Sequence, residues 1–355
     1  MLLTAVFGSI ASPLLTGCGV RVDDFGPAET LTPDAAELAR RAVSEPLQSS
    51  LRQLAELEPL IKSGSDTFVL VQQCKDMLAT QLTSLGSKGG SSATDAPTGS
   101  STPTPSATPT PTASAEELVN GIVVSQSTAI TTALGALDTV SGPYARRLSS
   151  IAAGGTTMVK RWLAVNRLKD PGTNFADWVA AIDRPDSTPS ASPTDPASAS
   201  GPATGSPTDT PASQAELSAL GALLAGCYAA SYGYQVLAVR LRDAERTNAE
   251  RRIGELEALG DELAGILAAA KADVPSPEPG YALPFEVTSR ESATRLAGQL
   301  ESGLSDLAGD ALASSSAGAR MKPAEWMMTT AVLASSWSGT LVALPGSSKA
   351  AEPSS

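Results

Sequence analysis

Five glutamates in the C-terminal part of the chain, Glu216, Glu250, Glu255, Glu262 and Glu301, could hold a metal ion or exchange a proton. Metal-binding helical bundles use such carboxylates together with histidines projected into the core. This chain has no histidine. Ser-His-Asp and Cys-His catalysis, His-ligated zinc and imidazole proton relays are therefore excluded. A carboxylate-only metal site or carboxylate acid–base chemistry stays open. Most of the five lie off the apolar stripes of their helices and are expected to be solvated surface charges. Glu301 directly follows a stripe position, Leu300, and is the one to inspect for burial.

Three cysteines are present, Cys18, Cys74 and Cys227. A disulfide between Cys74 and Cys227 would close a very long loop and tie the two halves of the chain together. The alternative is two separately buried thiols, each acting as a small hydrophobe on a helix. Tyr228, Tyr232 and Tyr234, with Trp337, could line a small apolar pocket, although aromatics at helical spacing more commonly belong to a core. Arg146-Arg147 and Arg251-Arg252 read as helix-surface ion-pairing residues. Gly86-Ser87-Lys88-Gly89-Gly90 lacks the spacing of a phosphate-binding loop and follows no strand. No catalytic constellation emerges, and the expectation is a protein that is not an enzyme and carries no cofactor.

The segment Leu15-Thr16-Gly17-Cys18 closes an apolar, uncharged leader. A small-residue stretch ending on one cysteine after such a run looks like the lipobox of a bacterial lipoprotein. The resemblance implies removal of residues 1–17, lipid attachment at Cys18, and residence on the outer face of a cell membrane. Each buried methylene of an attached chain adds about 0.8 kcal/mol, so several acyl chains hold durably. The leader departs from the usual pattern in having no Lys or Arg before Arg21, as it would if the true translation start lay upstream. Broken by Gly8 and Pro13, it is too short for an ordinary membrane-spanning helix.

Length and composition set the frame for these residues. The 355 residues suffice for two ordinary domains; the chain is 42% hydrophobic but only 4% aromatic. Abundant alanine with few aromatic or β-branched runs favours close-packed helices over sheets. A net charge of −12 argues against a nucleic-acid partner, which needs clustered Lys and Arg.

Two Ser/Thr/Pro-rich tracts, at about 86–113 and 184–212, divide the chain and are expected to be disordered. Helix-start signals border them. Ser114 with Glu117 and Ser213 with Glu216 read as capping boxes, as does Thr288 with Glu291. Thr32 before Pro33 reads as an N-cap with proline at the first helical position.

Helical periodicity follows each signal. Leu220, Leu224, Cys227, Ser231, Tyr234, Ala238 and Leu241 form one stripe, and Ile253, Leu256, Gly260, Leu263, Leu267 and Ala270 a second. A third runs through Ala293, Leu296, Leu300, Leu304, Leu307 and Ala311, a fourth through Trp326, Thr330, Leu333, Trp337 and Leu341. Two short links and one longer Pro-rich link make these an antiparallel four-helix bundle. The first half also reads as four helices, with a kink at Pro46, an interruption at Gly154-Gly155, and a short amphipathic turn at Phe175 to Ile182. It forms a second bundle or joins one larger body.

The C-terminal segment resembles a family of actinobacterial lipoproteins and secreted proteins with a ferritin-like domain of unknown function. The likeness rests on Tyr232-Gly233-Tyr234, Gly280-Tyr281-Ala282-Leu283-Pro284-Phe285, Leu300-Glu301-Ser302-Gly303, and the Trp326 to Trp337 helix ending at Leu344-Pro345-Gly346. It covers roughly residues 213–346. Relatives often carry a Glu-His pair just before the Tyr-Gly-Tyr motif, where this chain has Cys227 and Tyr228, so the usual di-iron centre is not expected.

The resulting expectation is an all-α, exported, lipid-anchored protein. Its parts are a signal peptide (1–17), a tether (18–31), an N-terminal helical domain (32–183), a linker (184–212), a metal-free ferritin-like bundle (213–346) and a tail (347–355). Its expected role is that of a structural or interaction module, with the membrane, other envelope proteins or wall polymer as partners. The alternatives are a carboxylate-only metal or redox protein and a binder of small apolar ligands.

Overall fold

A computed structural model describes residues 34–86, 113–166, 173–182 and 212–347. The leader, Cys18, the tether and most of both Ser/Thr/Pro tracts lie outside the described residues. Among the described residues the regular structure is entirely helical.

In the C-terminal half, α6 (Gln214–Ala238), α7 (Asp243–Ala269), α8 (Arg290–Ser314) and α9 (Met321–Ser338) form a four-helix bundle. Helix α6 packs on α7 and α8, and α8 packs on α9. The first stripe is buried throughout, from Leu220 to Leu241. On α7 Leu256, Gly260, Leu263 and Leu267 point inward as expected, but the ends of the stripe differ: Ala249 and Arg252 are buried, Ile253 is half-buried and Ala270 is exposed. The inward spacing is as regular as the apolar one, and Arg252 takes the inward position instead of Ile253 because Glu301 of α8 lies opposite.

The N-terminal half contains α1 (Ala35–Leu57), α2 (Asp66–Ser84), α3 (Ala115–Gly135), α4 (Gly142–Val165) and the short α5 (Phe175–Ile182). Helix α3 packs against α1, α4 and α5, and α2 against α1 and α4. Helix α1 runs on through Pro46. Helix α4 is continuous across Gly154 and Gly155, so the expected interruption is absent. Both glycines are buried instead, the first facing the amide of Gln81 and the carbonyl of Ala343, the second Gln126 and Ile130.

The caps follow local chemistry closely. Ser114 and Glu117 form the reciprocal capping box. At α6, Ser213 accepts from the Glu216 amide, but that glutamate makes no return bond to the cap. At α8 the box sits one residue later than Thr288–Glu291 and is made by Ser289 and Ser292. Thr32 and Pro33 lie outside the described residues, and the cap of α1 is Asp34, which accepts from Glu37 N at 2.7 Å.

The described residues fall within one compact unit. Helix α4 is the shared element, packing on α3 in one direction and on α8 and α9 in the other. Polar side chains fasten the joint by gripping main-chain carbonyls, which cannot move away as a flexible side chain can. Arg146 donates to Gly346 O at 2.6 Å and pairs with Asp310. Gln81 donates to Ala343 O at 2.9 Å, and Arg161 to Gly339 O at 3.1 Å. In the opposite sense, Arg320 of the C-terminal half donates to Leu137 O and, at 2.6 Å, to Val140 O. The segment 339–347 thus lies as a strap held by donors from α2 and α4.

Candidate functional site

The core of the C-terminal bundle contains an ion pair. Glu301 of α8 is 0% exposed, and Arg252 of α7 is 5% exposed. Arg252 Nε donates to Glu301 Oε1 at 2.8 Å and Nη2 to Oε2 at 2.9 Å, a bidentate fork. Tyr234 of α6, fully buried, donates its phenol to the same Oε1 at 2.7 Å. The outer nitrogen of Arg252 reaches Glu255 at 3.2 Å. Three helices therefore meet at one carboxylate.

Electrostatics follow from this geometry. Burial pushes the Tyr234 phenol well above its ordinary value, and the neighbouring Glu301 charge adds to the shift. Tyr234 is thereby held as a donor. Burial disfavours the charged guanidinium of Arg252, but Glu301 more than offsets this, and the net shift is upward. One buried cation balances one buried anion, and both carboxylate oxygens are taken by protein donors. A metal ion entering here would have to displace Arg252 from Glu301 and meet its positive charge. No cluster of three or more Cys, Asp and Glu side chains that could hold a metal occurs among the described residues.

The five glutamates separate accordingly. Glu250 pairs with Arg246, Glu255 with Arg251 and Arg252, and Glu262 with Lys322, all at the bundle surface as expected. Glu301 and Glu216 depart from the surface expectation, with Glu216 only 7% exposed in the first turn of α6. There the positive end of the helix macrodipole offsets part of the cost of burying a carboxylate.

The disulfide alternative does not form: Cys74 and Cys227 are both free and buried. Cys74 sits on α2 beside Trp162, whereas Cys227 lies on α6 near Arg252 and Glu301. Each thiol is enclosed by its own neighbours, and burial pushes both up to about 12.

The four aromatics expected at a pocket do not share one. Tyr232 and Tyr234 are two residues apart and so leave α6 in different directions. Tyr234 packs against Trp337 with ring centroids 6.4 Å apart, closed into the core. Tyr232 turns to Tyr281 in the middle link, at 5.8 Å. Tyr228 lies against α7 near Gly260.

The segments singled out by sequence meet one another here. Tyr232 contacts the link motif through Tyr281, Tyr234 bonds Glu301 of the Leu-Glu-Ser-Gly segment, and Trp337 covers Tyr234. Between the two tyrosines, a Cβ on Gly233 would stand 2.6 Å from a methyl of Leu300, so any larger residue there would require the Leu300 side chain to shift. Arg252 is the one member that sequence reasoning missed. Its signal was its spacing from Ala249 and Leu256, which puts a charge on the inward face.

With this geometry in hand, known proteins supply a frame. Residues 219–349 match a domain of unknown function (DUF4439). A crystal structure of a conserved hypothetical protein, rv2844, from Mycobacterium tuberculosis is similar at 24% identity, covering 35% of this chain and 96% of that one, with a TM-score of 0.34. No curated protein matches the chain. The match to that domain of unknown function falls on the C-terminal bundle, which is here joined to an N-terminal helical half.

Proposed function

We propose that this is an exported protein of the bacterial cell envelope, lipid-anchored through Cys18, whose helical body is a structural or protein-interaction module. The observation that carries the non-catalytic reading is the bidentate hold of Arg252 on Glu301. The most buried carboxylate of the bundle is committed to an internal pair, which supports an architectural role for it. The Leu15-Thr16-Gly17-Cys18 segment supports the address. No helix among the described residues is long and apolar enough to cross a membrane.

The test is made on protein expressed in an actinobacterial host and recovered from membranes without chelator. Intact-mass analysis is expected to show a lipid-bearing N-terminal Cys18, and Cys18→Ala to release the protein from membranes. Elemental analysis is expected to find no stoichiometric iron, manganese or zinc. Crosslinking on intact cells is expected to capture the same envelope protein or wall polymer reproducibly. An unmodified Cys18 overturns the address, a stoichiometric metal the non-catalytic reading, and the absence of any reproducible partner the interaction role.

A further inference from the structure

An open recess of about 560 Å³ lies where the α6–α7 turn meets the start of α8. Arg240 and Arg242 line it from the turn, Arg290 from the first position of α8, and Asp243, Ala244 and Glu245 from the first turn of α7. All three arginines are exposed, so an ion from solvent reaches them without displacing a side chain.

Two cross-links hold the walls in place. Arg240 Nε donates to Val287 O at 3.2 Å. Arg290 donates to both oxygens of Glu245, through Nε at 2.8 Å and Nη2 at 2.5 Å, and so neutralises that carboxylate inside the recess. Arg242 is different. Farther along α7, Arg246 pairs with Glu250 and Arg251 with Glu255, each one turn on. One turn beyond Arg242 stands Arg246, a like charge, and this spacing is unfavourable on a helix. The Arg242 guanidinium makes no hydrogen bond or ion pair with any described residue. Asp243 alone opposes the charges of Arg240 and Arg242, so the recess is net positive in a chain of net charge −12.

We propose that this recess binds a phosphate group, free or esterified, through the guanidiniums of Arg240 and Arg242. Guanidinium forks match phosphate oxygens in charge and geometry. The start of α7 adds weaker donors: Arg242 holds the N-cap position and offers no acceptor to the first-turn amides. The amide of Arg246 is the first to bond back into the helix, at Arg242 O, which leaves those of Asp243, Ala244 and Glu245 beside the recess without an intrahelical acceptor. A tetrahedral group presents its oxygens in several directions, as donors from a turn and a helix end require, whereas a carboxylate presents them in one plane. This site does not depend on the proposed envelope role.

The test uses the full chain with Cys18→Ser, titrated at constant ionic strength with inorganic phosphate, the diester glycerophosphoglycerol and acetate, and followed by NMR of the α7 amides and arginine Nε–H groups. Inorganic phosphate is expected to shift the signals of Arg242 to Glu245 saturably, and acetate to bind more weakly. Arg242→Gln, an exposed change, is expected to weaken phosphate binding about fivefold without moving the urea midpoint. Asp243→Asn, which removes the opposing charge, is expected to tighten it. A diester bound at least as tightly as inorganic phosphate supports the site with an esterified phosphate as its ligand, and a diester bound more weakly supports it with the free ion. Absence of saturable shifts, an equal response to acetate, or undiminished binding in Arg242→Gln would overturn the proposal.

Discussion

Arg252 and Glu301 face each other across the α7–α8 seam of the bundle, joined by two hydrogen bonds of 2.8 and 2.9 Å with Tyr234 as third partner. A buried pair of this kind contributes little net stability compared with apolar residues of the same volume, yet breaking it is costly. Glu301→Ala is expected to lower unfolding free energy by about 3–5 kcal/mol, because Arg252 is left charged and buried. The joint change Arg252→Met/Glu301→Leu is expected to cost far less than the sum of the single changes. Tyr234→Phe, which removes one bond to a charged group, is expected to cost about 1.5–3 kcal/mol. Urea denaturation of Glu301→Ala and Tyr234→Phe, and of the double-mutant cycle Arg252→Met, Glu301→Leu and their combination, checks all three statements.

Burial predicts the behaviour of the thiols. With Cys74 and Cys227 both raised to about 12, neither is expected to react with a disulfide reagent at pH 8 unless the protein unfolds. The measurement is thiol labelling of the Cys18→Ser protein with and without urea. Two equivalents appearing only in urea is the expected result.

The same shifts fix an alkaline limit. A thiol held above its unfolded value binds its proton more tightly in the folded state. The associated stability is complete below the unfolded value near 8.5 and is lost as pH rises toward about 12. Each thiol removes up to about 1.4 kcal/mol per pH unit in that window. Denaturation midpoints should fall above pH 9, and less steeply in Cys74→Ala.

At the acid end, Glu37 is the clearest reporter. Hydrogen bonds from Arg40 and then Arg41 hold its carboxyl at about 2. Its contribution to stability is present above the unfolded carboxylate range and is lost as pH falls toward 2. Because the pair is exposed, its effect on stability is small. Carbon-13 titration should place the Glu37 midpoint near 2, and Arg40→Ala should return it toward the ordinary value.

The strap gives a backbone prediction. Gly346 has φ of 72°, and a Cβ there would meet Met327 Sδ at 2.5 Å and Ser305 O at 2.7 Å. Gly346→Ala therefore adds both backbone strain and a collision, and is expected to lower stability by about 1–3 kcal/mol. Arg146→Ala, which leaves Asp310 and the Gly346 carbonyl without their donor, should free the strap for amide exchange while α6 and α7 stay protected.

Much of the scaffold was legible in the sequence because helical periodicity and caps are local signals. The stripe from Leu220 to Leu241 is buried residue for residue, and the Ser114–Glu117 box is formed as read. What was not legible depended on residues far apart in the chain. Arg252 looked like half of a surface pair because only Glu301, 49 residues on, turns it inward. Gly154-Gly155 looked like a break because Ala343, which needs the space, is remote in sequence. The aromatic cluster failed as a pocket for a simpler reason. Residues two apart on a helix diverge, and composition does not record direction.

The strap also orders events in time. The donors Gln81, Arg146 and Arg161 precede their carbonyl acceptors by 262, 200 and 178 positions. A ribosome makes the donors long before it makes residues 339–347, so these three bonds form only after both halves of the joint have been made.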